Sequence, residues 1–122
     1  YGGGFASVRS ILNRLDADPY DGILIRFKGD GKRYQLRLRQ GDRMDGVAYS
    51  QHFETKIGEW EEVFLPFHSF QASYRGRRLP DYPKLDTSRI SQLGLMISDK
   101  QEGNFRLEVQ RIALYFNEHF QT

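Results

Sequence analysis

Three stretches of this chain have residue types and spacings that could do chemistry. The first is FKGDGKRYQLRLR, Phe27 to Arg39, where two glycines flank Asp30 and a basic run follows. A phosphate cradle needs G-x-x-x-x-G-K-[ST] between a strand and a helix, so that backbone N–H groups converge on the anion. Here GDGKRY runs straight into an alternating segment, and Tyr34 stands where the third glycine of a dinucleotide fingerprint belongs. The second stretch, LDADPYDG, carries Asp16, Asp18 and Asp21. Its spacing departs from a calcium loop, with Tyr20 at a ligand position and no Glu at the twelfth, so a turn leading into a strand at Ile23 is expected. The third is EWEE, whose Glu59, Glu61 and Glu62 could pair with Asp99 as glycosidase carboxylates, although nothing in the sequence sets them across a cleft.

Other catalytic arrangements fail on residue type. Cysteine is absent, which removes thiolate metal sites, cysteine nucleophiles and disulfides. No G-x-S-x-G elbow occurs. His52, His68 and His119 stand far apart, without a second ligand at i+2 or i+4. The chain is therefore expected to be no enzyme and to hold no metal or cofactor. What remains is a polar docking surface. Arg26, Lys28, Arg37 and Arg39 would share one outward strand face, RGRR adds a second cluster, and Tyr49 or Tyr74 offers stacking area. Guanidinium forks suit carboxylate partners.

Strands must position these groups. In GILIRFK, Ile23, Ile25 and Phe27 alternate with Leu24, Arg26 and Lys28, and in RYQLRLR, Tyr34, Leu36 and Leu38 alternate with Arg33, Gln35, Arg37 and Arg39. Period-two patterning marks half-buried strands. The Asp-Gly between them predicts an antiparallel hairpin, because such turns need positive φ. GVAYSQHFET, EWEEVFLPF, LGLMIS and NFRLEVQRIALYF read as further strands, with Pro66 ending its own and DKQEG forming a loop. The phase of the last one shifts from Leu107 and Val109 to Ile112 and Leu114, which predicts a bulge near Gln110-Arg111. The N-terminal segment reads as a strand to about Ser10 and then a loop or single helical turn. Asp86 is expected to cap a short helical turn, and 67–85 to be one long loop.

Composition agrees with this outline. A chain of 122 residues suits a single domain. Nine Phe, seven Tyr and one Trp against two Met favour an all-β core. About seven short strands imply an antiparallel β-sandwich or barrel. Eighteen basic and sixteen acidic residues leave a formal charge of +2, too balanced to imply nucleic acid. FKGDGKRYQLRLR also lacks the aromatic pattern of an RNA-recognition strand. No apolar run approaches the roughly 20 residues that span a bilayer, so no membrane insertion is expected. The start, YGGGFASVRS, has neither an initiator Met nor a signal-peptide layout and reads as a processed or trimmed form.

GGFASVRS, DGILIRFKGDGKRYQLRLR, WEEVFLPFHSF, YRGRRL and LGLMISDKQEGNFRLEVQRI occur in one order and together cover Gly2 to about Tyr115. In these segments the chain resembles the complex I intermediate-associated protein 30 domain family. The resemblance implies a galactose-binding-like jelly roll and non-enzymatic work as an assembly factor or chaperone, with respiratory complex subunits or assembly intermediates as protein partners. It further implies a mitochondrial matrix location in a eukaryote and a cytoplasmic one in a bacterium. Family members usually have a strand region upstream of GGFASVRS, of which only Tyr1 would remain here. Among matching positions, Arg75 and Arg77 are the expected partner contacts, with Tyr74 beside them. The alternative, by analogy with carbohydrate-binding modules of similar fold, is a glycan site at Arg37, Arg39, Tyr49 and His52. Sugar platforms want exposed rings, and that face is mostly Arg, Gln and Ser, which favours the protein partner.

Overall fold

The computed structural model describes residues 7–41, 46–97 and 106–116, with side chains from residue 16 onward. Along these residues run β1 (Ser7–Leu15), β2 (Gly22–Lys28), β3 (Arg33–Gln40), β4 (Ala48–Glu54), β5 (Trp60–Pro66), β6 (Gln71–Tyr74), β7 (Arg77–Arg78), β8 (Ile90–Ile97) and β9 (Glu108–Tyr115). They make two antiparallel sheets, one in the order β1-β8-β3-β4-β6-β7 and the other β5-β2-β9. The architecture is a β-sandwich of the galactose-binding-like jelly-roll type.

The alternating residues do what their period requires. Ile23, Ile25 and Phe27 of β2 and Tyr34, Leu36 and Leu38 of β3 are almost fully buried, and all belong to one core with Phe53, Leu65, Phe67 and Phe70. The rings of Phe27 and Phe53 meet across the sandwich at 5.0 Å between centroids. Each such side chain contributes about 1.5–3 kcal/mol by leaving water. Val63 and Leu65 point inward on β5, which ends at Pro66. The bulge also occurs where the phase slips. Arg26 pairs with Arg111 and Phe27 with Val109, so Gln110 is the extra residue of β9. Asp86 caps the 3-10 turn Thr87–Arg89, its side chain accepting from the Ser88 hydroxyl and from Ser88 N–H, and these bonds, the hydroxyl's first, hold its carboxyl below the ordinary value.

Three sequence expectations are corrected. The segments around Gly29-Asp30-Gly31 do not pair as a hairpin, since β2 pairs with β5 and β9 and β3 with β4 and β8. The Asp-Gly turn is an arch between sheets. Gly31 takes φ 88° as the turn chemistry requires, but its surroundings decide where the chain goes. Gly31 N–H donates to Thr55 Oγ1 at 3.0 Å, and Thr55 Oγ1 donates to the Lys32 carbonyl at 2.7 Å. Asp30 accepts from the Tyr34 hydroxyl at 3.1 Å and from Arg106 N–H at 2.6 Å. Burial first, and then the charge and hydrogen bond of Asp30, push the Tyr34 phenol well above its ordinary pKa.

The N-terminal segment remains a strand through Leu15 instead of turning after Ser10, with its register against β8 shifting between Ile11 and Leu15. Residues 67–85 are not one loop. A 3-10 turn at Phe67–Ser69 leads into a β6–β7 hairpin, whose central residues Arg75 and Gly76 have φ 51° and 79°. Positive φ at both positions is the pattern of a type I′ turn, whose twist matches that of the strands it joins. The expected DKQEG loop and the side chain of Phe105 lie outside the described residues, as do Asp99 and His119.

Candidate interaction surfaces

Because β2 and β3 lie in different sheets, the four cations grouped by sequence are divided between two outer faces. Side chains directly opposite in register share a face. On the six-stranded sheet one cross-strand row reads Gly94, Arg37, Ser50 and Gln71, and the adjoining row holds Met96, Gln35 and His52. Ser73 and Arg78 continue this face onto the β6–β7 hairpin. All of these except Gly94 line a groove of about 480 Å³. Arg37 Nη1 donates to Met96 Sδ at 3.2 Å, and an Arg78 amine donates to Gln71 Oε1. Arg39 lies further along β3 and donates from Nη1 to the Gly46 carbonyl at 3.1 Å.

Tyr49 is not part of this surface, contrary to its expected outward placement. It pairs with Leu38 and Ala72 on the inward side and is 1% exposed. Its hydroxyl donates to the Pro83 carbonyl at 2.8 Å, anchoring the segment that follows β7. Burial, with lesser contributions from Tyr82 and Asp86, raises its pKa. The period-two count already put Tyr49 on the face opposite His52, and pairing with Leu38 fixes which face is the core.

The tip of the hairpin gathers Tyr74, Arg75 and Arg77, all exposed, with the Arg75 guanidinium 5.4 Å from the centre of the Tyr74 ring. Arg77 pairs with Tyr74, and Arg78 pairs with Ser73 on the groove side. Arg78, Gln35, Ser50 and Gln71 were not singled out by sequence. For Arg78 the missed signal is the Arg75-Gly76 pair. Read as a hairpin turn, it sends successive arginines of RGRR to opposite faces.

The other outer face is built differently. Trp60 is 44% and Phe64 55% exposed on β5. Arg26 and Lys28 lie 5.7 Å and 6.0 Å from the Trp60 ring centre, and Phe64 packs on Tyr115 at 4.8 Å. Arg26 Nε also donates to Gln110 Oε1 at 2.6 Å, so the bulge residue holds the cation beside the ring. In the 16–21 stretch, Asp16 accepts from Asp18 N–H at 3.1 Å and Asp18 accepts from the Thr87 hydroxyl at 2.7 Å, an arrangement of turn bonds. Among the described residues no cluster of three His, Cys, Asp or Glu is placed to hold a metal. No helix among them is long and apolar enough to cross a membrane.

The sequence model of complex I intermediate-associated protein 30 matches residues 1–109. The chain belongs to this family. It is 31% identical over 104 residues to the mouse "Complex I intermediate-associated protein 30, mitochondrial", and 29% identical over 97 residues to the probable Caenorhabditis elegans counterpart. These alignments take in 82% and 76% of this chain but only 32% and 28% of those proteins, so the chain spans about a third of the relatives' length. In fold it is similar to family 11 carbohydrate-binding modules of Clostridium thermocellum. One, from a cellulosomal cellulase, superposes with a TM-score of 0.69 at 16% identity, covering 95% of this chain and 85% of that one. Another, solved with a β-1,3-1,4-mixed-linked tetrasaccharide, gives 0.67 at 16% identity, with 95% and 86% covered. The family is one of complex I intermediate-associated proteins.

Proposed function

We propose that this chain is a non-catalytic domain that binds a protein partner in the assembly of a respiratory complex, with Tyr74, Arg75 and Arg77 as contact residues. The carrying observation is the conformation of Arg75, which adopts φ 51° at an exposed hairpin tip. A left-handed arginine costs about 1–2 kcal/mol relative to glycine at such a position, and strain of this kind collects at functional sites. The guanidinium over Tyr74 offers a planar donor fork and an aromatic face together, a combination enriched at interface hot spots. Family membership supports subunits or assembly intermediates of complex I as the class of partner. The mitochondrial relatives favour the same compartment for a eukaryotic source. The test is affinity capture with the chain and with Arg75→Glu/Arg77→Glu, reading captured proteins by mass spectrometry. Capture of complex I components that the double variant loses is the expected result, and identical capture by both would overturn the assignment.

A second reading, carbohydrate binding in the groove at Arg37 and His52 with Arg39 further along β3, is favoured by the groove's polar lining and by a fold shared with carbohydrate-binding modules. Fold likeness is a weak warrant, and none of the groove's described lining residues is Phe, Tyr or Trp. A glycan array including mixed-linked glucans is expected to stay at background, and a saturable signal lost in Arg37→Ala would reverse the preference.

A further inference from the structure

We propose that the cavity between the β6–β7 hairpin and the segment 79–84 seats one aromatic side chain of the protein partner, with a carboxylate two residues from that ring meeting Lys84. This rests on the protein-partner reading and deepens it, adding an anchor site and the chemistry of the segment that fills it.

Position is the first support. The cavity has a volume of about 380 Å³, inside the usual range of ligand sites, roughly 300–1,000 Å³. Ala72 and Leu79 line it, and Leu79 N–H donates to the Ala72 carbonyl at 2.9 Å. Side chains two residues apart on a strand share a face, so Tyr74 follows Ala72 on the same side of β6. Arg77 pairs with Tyr74 and shares that side. The cavity therefore lies on the side of the hairpin that carries the contact residues Tyr74 and Arg77, and one extended segment can cover both.

The lining is the second. Tyr82 stands on the wall, 45% exposed. Its N–H closes a turn onto the Leu79 carbonyl at 3.1 Å, and its ring meets that of Tyr49 edge-on, with 6.4 Å between centroids. Tyr49 is itself part of the core, and its hydroxyl is bonded to the Pro83 carbonyl. The Tyr82 ring is thus held in place before any partner arrives. Phe70, Pro80 and Pro83 add apolar lining. A ring packing offset or edge-on against Tyr82 gains more than its buried area alone supplies, and a wall already fixed loses little freedom on binding. An aliphatic side chain would forgo the ring contact.

Charge and spacing are the third. Lys84 lines the same cavity. Its ammonium is a flexible point charge with three donors, which meets a carboxylate from a range of directions. Tyr82 and Lys84 are two residues apart, so their backbones are separated by at most about 7 Å. In an extended peptide, alternate residues are also about 7 Å apart and point the same way. A ring at one position and an acid two residues on therefore match Tyr82 and Lys84 in register, the ring supplying most of the contact and the acid the direction of the segment.

The probe is a fluorescein-labelled peptide carrying Trp-Ser-Glu in a Gly-Ser frame, titrated into the chain and read by anisotropy. Two control peptides replace the Trp by Ala or the Glu by Lys. Saturable binding of the first peptide is expected, weakened about tenfold or more by Tyr82→Ala or by loss of the Trp. Lys84→Gln, or the Lys control, should weaken it about two- to fivefold, and Trp60→Ala, on the other sheet, should leave it unchanged. Tyr82→Leu keeps an apolar side chain without the ring and provides the second cavity variant, and thermal melting confirms that each variant folds. Three outcomes would overturn the proposal: no saturable binding, equal binding of the peptide that lacks Trp, or self-association of the chain that Tyr82→Ala abolishes, which would give the cavity to a second copy. The partner-capture experiment is independent of this one. A partner still captured by Tyr82→Ala, together with failed peptide binding, removes the cavity assignment and leaves the protein-partner reading standing.

Discussion

On the six-stranded sheet, Arg37 and Arg78 line a groove among Gln35, Ser50 and Gln71, with no Phe, Tyr or Trp among its described lining residues. On the three-stranded sheet, Trp60 and Phe64 lie in the open, with Arg26 and Lys28 over the Trp60 ring and Phe64 packed on Tyr115. One face offers charged forks inside a cavity. The other spends its cations on its own ring, and such a pair gains about 0.5–1 kcal/mol at an exposed site. The difference shows that cation count alone does not mark a docking surface.

The arch at Gly29-Asp30-Gly31 creates the division, so breaking it should have the largest effect. A Cβ at Gly29 would lie 2.2 Å from Thr55 Cβ, far inside contact distance. Gly29→Ala is expected to cost about 3 kcal/mol in chemical denaturation. A loss below about 0.5 kcal/mol would mean the two strands can separate without that close approach.

Tyr34 ties β3 to the same arch, and its effect is read through pH. Its folded pKa is raised from 10.0 chiefly by burial, with Asp30 adding to it. A raised folded pKa means that the unfolded chain loses this proton first. The stability involved is present below the unfolded value, near 10.0, and is lost as pH rises above it. Stability is expected to fall on the alkaline side, and Tyr34→Phe should flatten that fall, as followed by denaturation between pH 8 and pH 11. An unchanged slope in the variant would contradict the role given to burial.

Much of this was legible in sequence. Period two identified the buried faces of β2 and β3, and its slip located the bulge at Gln110. Alternation says which side chains go inward, but a sandwich has two sheets with inward faces. Ile23, Ile25 and Phe27 satisfy the pattern equally well beside Tyr34 and Leu36 or across from them. Asp-Gly specifies positive φ and not the sheet the chain enters next. That choice depends on Thr55 and Arg106, 24 and 76 residues away from their partners in the arch. The β6–β7 hairpin escaped for another reason. Its strands are four and two residues long, and its first turn position holds Arg75 where Asn, Asp or Gly would announce the turn.

That same residue sharpens the comparison at a smaller scale. Arg75→Gly removes the left-handed cost and is expected to raise stability by about 1 kcal/mol while weakening partner capture. A variant that is both less stable and fully able to bind would remove the case for Arg75 as a contact. The smallest effect is expected on the opposite face. Trp60→Ala should cost about 0.5–1 kcal/mol through the lost cation–ring contacts and leave partner capture unchanged. Weakened capture in this variant would mean that the two faces are not independent.

The most direct measurement is a side-by-side capture of mitochondrial complex I components by the chain, by Arg75→Glu/Arg77→Glu and by Trp60→Ala/Phe64→Ser, each verified as folded by its thermal transition. Loss of capture in the arginine variant and retention in the aromatic one is the expected result. Retention in the first and loss in the second would contradict it, placing the partner on the three-stranded sheet.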